Sequence, residues 1–185
     1  MIIRNSEELK KAIDNVVKAA NKIDFKSQGL AGLELLKMIK FEQCGFDPQN
    51  PEKELNLIEQ VNQTFTALVS YKAIQWLWQK YPNTCFRLNL GTAAGFDIES
   101  YGDDVPKIRA EVFATVDWRN NNKLKKDIAR LFNDDDAATY DKYVFFAQPT
   151  DPALQANIIS QFDDSVTVIY FTLNEIMRLA NNACK

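Results

Sequence analysis

The chain contains no histidine. That absence removes Ser-His-Asp triads, Cys-His pairs and imidazole metal sites together, so acid, base or metal chemistry falls to Asp, Glu, Lys, Tyr or Cys. Cysteine is scarce as well. Cys44, Cys85 and Cys184 are the only three and show no C-x-x-C spacing, which argues against a disulfide framework or zinc site and fits a reducing cytoplasm. No apolar run approaches the roughly 20 residues of a membrane span. Residues 1–5 pass directly into charged helical sequence, unlike a signal peptide. Positive charge is in deficit, with 22 Lys and Arg against 25 Asp and Glu and a formal net charge of −3. An acidic body is a poor general coat for nucleic acid, although it leaves room for a locally basic groove.

What is present suffices for one core. A chain of 185 residues, 46% hydrophobic and 11% aromatic, reads as a single packed domain over 1–185 with no linker or repeat inside it. Residues 1–50 read as helical. Asn5 is placed to cap a helix with Glu8 as its capping-box partner, and Leu9, Ile13, Val16 and Ala20 follow at helical spacing. A second apolar stripe runs through Leu30, Leu33, Leu36 and Ile39. A long helix is expected from about Pro51 to Tyr81, its stripe being Leu55, Ile58, Phe65, Val69, Ala73 and Trp76. Asn62 then falls near the stripe's centre and Glu59 on its margin.

After Pro82 the period changes to that of strands. Cys85–Leu90 and Phe96–Glu99 are two, and Ile108–Val116 is the clearest, with Ala110, Val112, Ala114 and Val116 on one face and Arg109, Glu111, Phe113 and Thr115 on the other. A helix through Leu124, Ile128 and Leu131, a strand over Tyr143–Ala147, a helix opened by Asp151-Pro152, a strand over Val166–Phe171 and a last helix ending near Asn181 complete the order. A three-strand meander followed by a helical crossover and further strands predicts an α/β fold, a mixed sheet flanked by helices with a helical N-terminal extension.

Within that frame Asp97 and Glu111 occupy inward-alternating positions on neighbouring strands. If the turn at Gly102 makes those strands antiparallel, the carboxylates converge and can bind a hard divalent cation such as Mg²⁺ or Mn²⁺. Such a cation activates water and stabilises charge developing on a phosphodiester. Glu59, on the preceding helix, is a candidate third carboxylate. Read blandly, Asp97 is a strand-end aspartate and Glu59 ties a helix to backbone. Glu111, amid Ala-Glu-Val-Phe-Ala, is harder to dismiss.

Gly95-Phe96-Asp97, then Ala110-Glu111-Val112-Phe113-Ala114, then a lysine-bearing helix resemble the PD-(D/E)XK superfamily of restriction endonucleases and related nucleases. The family's core of helix, three-strand meander, helix and strand would span residues 51–147, with 1–50 as the N-terminal extension and 148–185 as a C-terminal helix-strand-helix. The resemblance implies a Mg²⁺- or Mn²⁺-dependent nuclease acting on DNA, in restriction or repair, with Asp97 and Glu111 as metal ligands and Glu59 as the acidic residue of the first core helix. Cleavage of both strands would favour a homodimer, and specificity would come from loops or a partner protein. Two positions depart from the pattern. Phe96 replaces a variable proline, and Phe113 stands where the half-motif has its lysine. Some members of the family carry that residue on the following helix, where this chain has Lys123, Lys125 and Lys126. Lys126 points away from the packed face, whereas Lys123 and Lys125 flank it and are the two candidates. Cations in a helix's first turn oppose its dipole, which a nearby acidic site or bound phosphate would offset. The alternative function is a nuclease-fold protein without activity, serving as a binding or scaffold module. A carboxylate enzyme of small-molecule metabolism finds no positive motif.

Overall fold

The computed structural model describes residues 1–23, 29–91, 94–119, 122–133, 139–149 and 165–183. Eight strands and five helices lie among them: β1 (Ile2–Ile3), α1 (Ser6–Asn21), α2 (Gly32–Phe41), β2 (Gly45–Phe46), β3 (Glu54–Leu55), α3 (Leu57–Lys80), β4 (Cys85–Leu88), β5 (Ile98–Tyr101), β6 (Ile108–Ala114), α4 (Lys123–Phe132), β7 (Asp141–Gln148), β8 (Thr167–Thr172) and α5 (Leu173–Ala183). Six strands form one mixed sheet in the order β1-β4-β5-β6-β7-β8, and β2 with β3 makes a separate two-stranded ribbon. The pairs β4–β5 and β5–β6 are antiparallel, whereas β6–β7 and β7–β8 are parallel. The α/β class, the meander and the helical crossover to a parallel strand are therefore as expected. No described helix is long and apolar enough to cross a membrane.

Strand alternation divides the interior in two. Ile108, Ala110 and Val112 of β6 face a larger core with α1, α3 and α5, built around Ile13, Val16, Val69, Ile74, Leu77, Phe145 and Ile176. Phe113, Val144 and Phe146 face the other way, onto Leu124 and Leu131 of α4. Alternating side chains thus put Glu111 on the α4 side of the sheet.

Helix starts follow local chemistry. The Asn5 carboxamide accepts the Glu8 N–H at 2.9 Å, but Glu8 returns its carboxylate to the Arg4 N–H, one residue before the capping-box position. At α5 the box closes, since Glu175 accepts from the Thr172 N–H at 2.8 Å and Thr172 Oγ1 accepts from the Glu175 N–H.

Four features differ from expectation. The long helix begins at Leu57, where the Asn56 side chain caps it through the Glu59 N–H, because Glu54–Leu55 is spent on pairing with β2. The N-terminal segment is not only helical, as Ile2–Ile3 pairs with β4 at the sheet edge. The central strand stops at Ala114, where Thr115 turns its hydroxyl onto Asp117, and Val116 is 81% exposed. The stripe on α2 is not buried: Leu33 and Leu36 are exposed and only Met38 of that helix is covered. The helix expected at Asp151-Pro152 lies outside the described residues.

Candidate functional site

The β5–β6 ladder runs through Ile98–Ala110 and Glu99–Arg109. One step further, Asp97 stands beside Glu111 and uses its carboxylate where a strand would use a carbonyl. Its Oδ2 accepts the Val112 N–H at 2.8 Å, while its own carbonyl accepts the Asn89 N–H at 2.9 Å. The Asp97 carboxyl is thereby fixed to the central strand, within hydrogen-bonding reach of the Glu111 carboxyl. The predicted convergence of the pair is present.

Glu111 is 1% exposed. Burial, then the neighbouring Asp97 charge, pushes its carboxyl up to about 8, and Arg130 opposes this without prevailing. Arg130 Nη1 lies 2.8 Å from Glu111 Oε1. That contact is an ion pair without an aligned N–H, so Oε1 has no hydrogen-bond partner. The other end of the guanidinium donates to the Gly95 carbonyl, and its plane lies over the Phe96 ring.

Helix α4 contributes three polar groups to this side of the sheet. Lys123, Asp127 and Arg130 recur at helical spacing beside the packed Leu124 and Leu131. Asp127 is buried and accepts Lys123 Nζ at 2.7 Å, leaving its other oxygen without a partner. Burial raises the Asp127 carboxyl, Lys123 lowers it, and the Asp97 charge raises it further. Lys123 Nζ also lies 5.9 Å from the centre of the Phe113 ring. Phe113 itself stacks on Phe146 at 5.2 Å. The residue where the half-motif has lysine is thus a core aromatic, and a lysine from the next helix reaches over it.

The remaining candidates separate from this cluster. Lys125 is exposed on α4. Glu59 is exposed in the first turn of α3, a helix that packs on the opposite face of the sheet, so the structure does not bring it to the pair. Asn62, expected on the packed face, is exposed too. Trp118 packs into the α4-side core and donates its N–H to Gln148, while Arg119 is held by Asp117. Sequence reasoning missed Asp127 and Arg130 as site residues. Their signal was the i, i+4, i+7 spacing from Lys123 along one flank of α4.

Asp97, Glu111 and Asp127 face two cations, Lys123 and Arg130, which leaves one carboxylate uncompensated. A proton on Glu111 satisfies it, and so would a cation. Among the described residues no three Asp, Glu, His or Cys side chains converge as a metal cage. Mg²⁺ does not require one, since it commonly takes one or two carboxylates and completes its shell with water and phosphate oxygens. Glu111 Oε1, held only by its ion pair with Arg130, and the fixed Asp97 carboxyl suit that role. No protein-family model, no curated protein and no solved structure matches this chain.

Proposed function

We propose that the chain is a nuclease-like protein of PD-(D/E)XK type that acts on DNA phosphodiesters with Mg²⁺ held by Asp97 and Glu111. The observation that carries the reading is the position of Lys123. Its ammonium group lies 5.9 Å from the ring of Phe113, the residue two along β6 from Glu111 and on the same face that stands at the half-motif's lysine position. The chain order α3-β4-β5-β6-α4-β7, with an antiparallel meander and parallel β6–β7, supports the same reading.

Each residue then has a physical task. Asp97, tied to the Val112 N–H, supplies a preset oxygen. Glu111 supplies the second oxygen once its proton leaves. Asp127 holds and aims Lys123 through the 2.7 Å contact, and Lys123 orients the attacking water or the phosphate. Arg130, with a side chain 47% exposed, can exchange Glu111 for a phosphate oxygen without losing its support from Phe96 and Gly95. The metal would lower the pKa of bound water and neutralise developing phosphate charge.

A second reading is a nuclease-fold binding module. The Phe113–Phe146 stack favours it, because an aromatic pair now fills space that the family gives to a working side chain. Mg²⁺-dependent cleavage of supercoiled plasmid separates the two. Wild type is expected to cut, with Glu111→Ala and Lys123→Ala each lowering the rate at least about 100-fold and Lys125→Ala changing it less than about two-fold. Absence of metal-dependent cleavage across DNA substrates would overturn the nuclease reading, and equal losses for Lys123→Ala and Lys125→Ala would overturn the assignment of the lysine.

A further inference from the structure

On the opposite face of the sheet from the carboxylates, α1, α3 and α5 leave a groove between them with a cavity of about 640 Å³. Its size is that of a small-molecule site, which typically spans roughly 300–1,000 Å³. Lys10 of α1, Lys72 of α3 and Arg178 of α5 all line it. No hydrogen bond or ion pair among the described residues ties up any of the three. The one acid in the lining is Glu175, whose Oε2 accepts the Thr172 N–H at 2.8 Å and the Thr172 hydroxyl at 2.7 Å; its charge is felt by Lys72 and Arg178 and offsets one of the three positive charges. Three cations from three different helices therefore share one cavity in a chain of net charge −3. An anion bound there would balance the positive charge that Glu175 leaves over, and Lys and Arg are the side chains that hold phosphate.

The rest of the lining limits the ligand further. Trp78 forms an aromatic wall, and its indole N–H is already donated to the Thr84 carbonyl at 2.7 Å, so what it offers the cavity is carbon surface. Gln75 and Asn182 add carboxamides able both to donate and to accept, beside the apolar Leu9, Ile13 and Leu179. Three cations, an aromatic wall and two carboxamides around one cavity match a phosphorylated molecule that carries a planar polar ring. Three cations are too few for a nucleic-acid track on an acidic protein, where binding grows with the number of phosphates neutralised.

We infer that the groove between α1, α3 and α5 binds a nucleoside phosphate, with Lys10, Lys72 and Arg178 on the phosphates and Trp78 against the base. This site is independent of the Asp97–Glu111 cluster and stands or falls separately from the nuclease reading.

The test is titration of the full chain with ADP in EDTA at low ionic strength, followed by calorimetry and by tryptophan fluorescence. Saturable binding is expected, weakening as salt is raised, with a fluorescence response that disappears in Trp78→Phe. Lys72→Met and Arg178→Met, each first checked for an unchanged circular dichroism spectrum, are expected to weaken ADP binding at least ten-fold. Lys126→Met and Glu111→Gln are expected to leave it unchanged. Inorganic pyrophosphate binding as tightly as ADP would overturn the role of the base, and adenosine binding as tightly would overturn the role of the cations. No saturable ADP binding, or binding undiminished in both Lys72→Met and Arg178→Met, overturns the site altogether.

Discussion

Glu111 shows how one residue can be legible in type and illegible in state. A carboxylate in an apolar central strand stands out in any sequence, and alternation put it beside Asp97. What alternation cannot contain is the balance among desolvation, Asp97 and Arg130, because Arg130 arrives from a helix nineteen residues on. That balance has a consequence for stability. Glu111 has a folded-state carboxyl pKa of about 8, above the ordinary 4.5. A raised carboxyl stabilises the fold fully below its unfolded value, and the contribution is lost as pH rises through the folded value. The melting temperature of wild type is therefore expected to fall between about pH 5 and pH 8, by the equivalent of up to several kcal/mol. Asp127, also raised by burial, acts in the same direction. Glu111→Gln keeps the shape and the donor of the protonated acid but has no proton to lose. Thermal melts should show it flatter than wild type across this window and more stable at pH 8.5. A wild-type decline that persists unchanged in Glu111→Gln would place the effect elsewhere.

At the scale of the element, α3 explains why Glu59 and Asn62 were singled out and Gln60 was not. A single apolar stripe presupposes a helix with one wet face. Residues 67–71 of α3 are buried in succession, because α1, the sheet and α5 pack with that stretch in one core. With buried residues on every side, the phase of the stripe is poorly defined, enough to put Asn62 on the packed face in place of Gln60, about 160° away around the helix. The structure settles it with hydrogen bonds that sequence does not display. Gln60 is 1% exposed, accepts the Phe46 N–H at 2.8 Å and donates to the Ala19 carbonyl at 3.0 Å. One side chain thus joins the β2–β3 ribbon, the end of α1 and the start of α3. Gln60→Ala strands two backbone groups and is expected to cost about 2–4 kcal/mol in denaturant unfolding. Gly45 reports on the same junction from the other side. A Cβ there would lie 2.6 Å from Gln60 Oε1 and 3.2 Å from the Asn56 carbonyl. Gly45→Ala should therefore destabilise, and by clearly less when combined with Gln60→Ala, since the amide that it would strike is gone. Additive losses in the double variant would mean that the two positions do not share this contact.

For the whole molecule, most of the chain order was readable because period-2 segments and Gly or Pro turns separate cleanly after Pro82. The sheet order was less so. That Ile2–Ile3 returns to pair with β4 depends on contacts some 85 residues apart, which no local pattern encodes. The resulting sheet is uneven in its protection. The strands β6 and β7 are the longest, at seven and eight residues, pair over seven positions, and are covered by α3 on one face and α4 on the other. Beside them β4 and β5 have four residues each, and β1 has two. Local opening is governed by how many buried contacts break at once, so the centre should open only with the whole fold while the β1–β4 edge opens below it. In native-state hydrogen exchange, the amides of Val112 and of Val144–Phe146 are expected to be the slowest and to share the global unfolding free energy. Those of Ile3 and Arg87 should exchange faster, by at least about ten-fold. Edge amides as slow as those of β6 and β7 would mean that the N-terminal strand is part of the cooperative core. The Asp97–Val112 contact adds a local check on this gradient. The Val112 N–H is held by a carboxylate and not by a neighbouring strand, so Asp97→Ala should release that amide selectively and leave Val144 and Phe146 slow. Uniform acceleration along both strands would instead show that Asp97 supports the sheet as a whole.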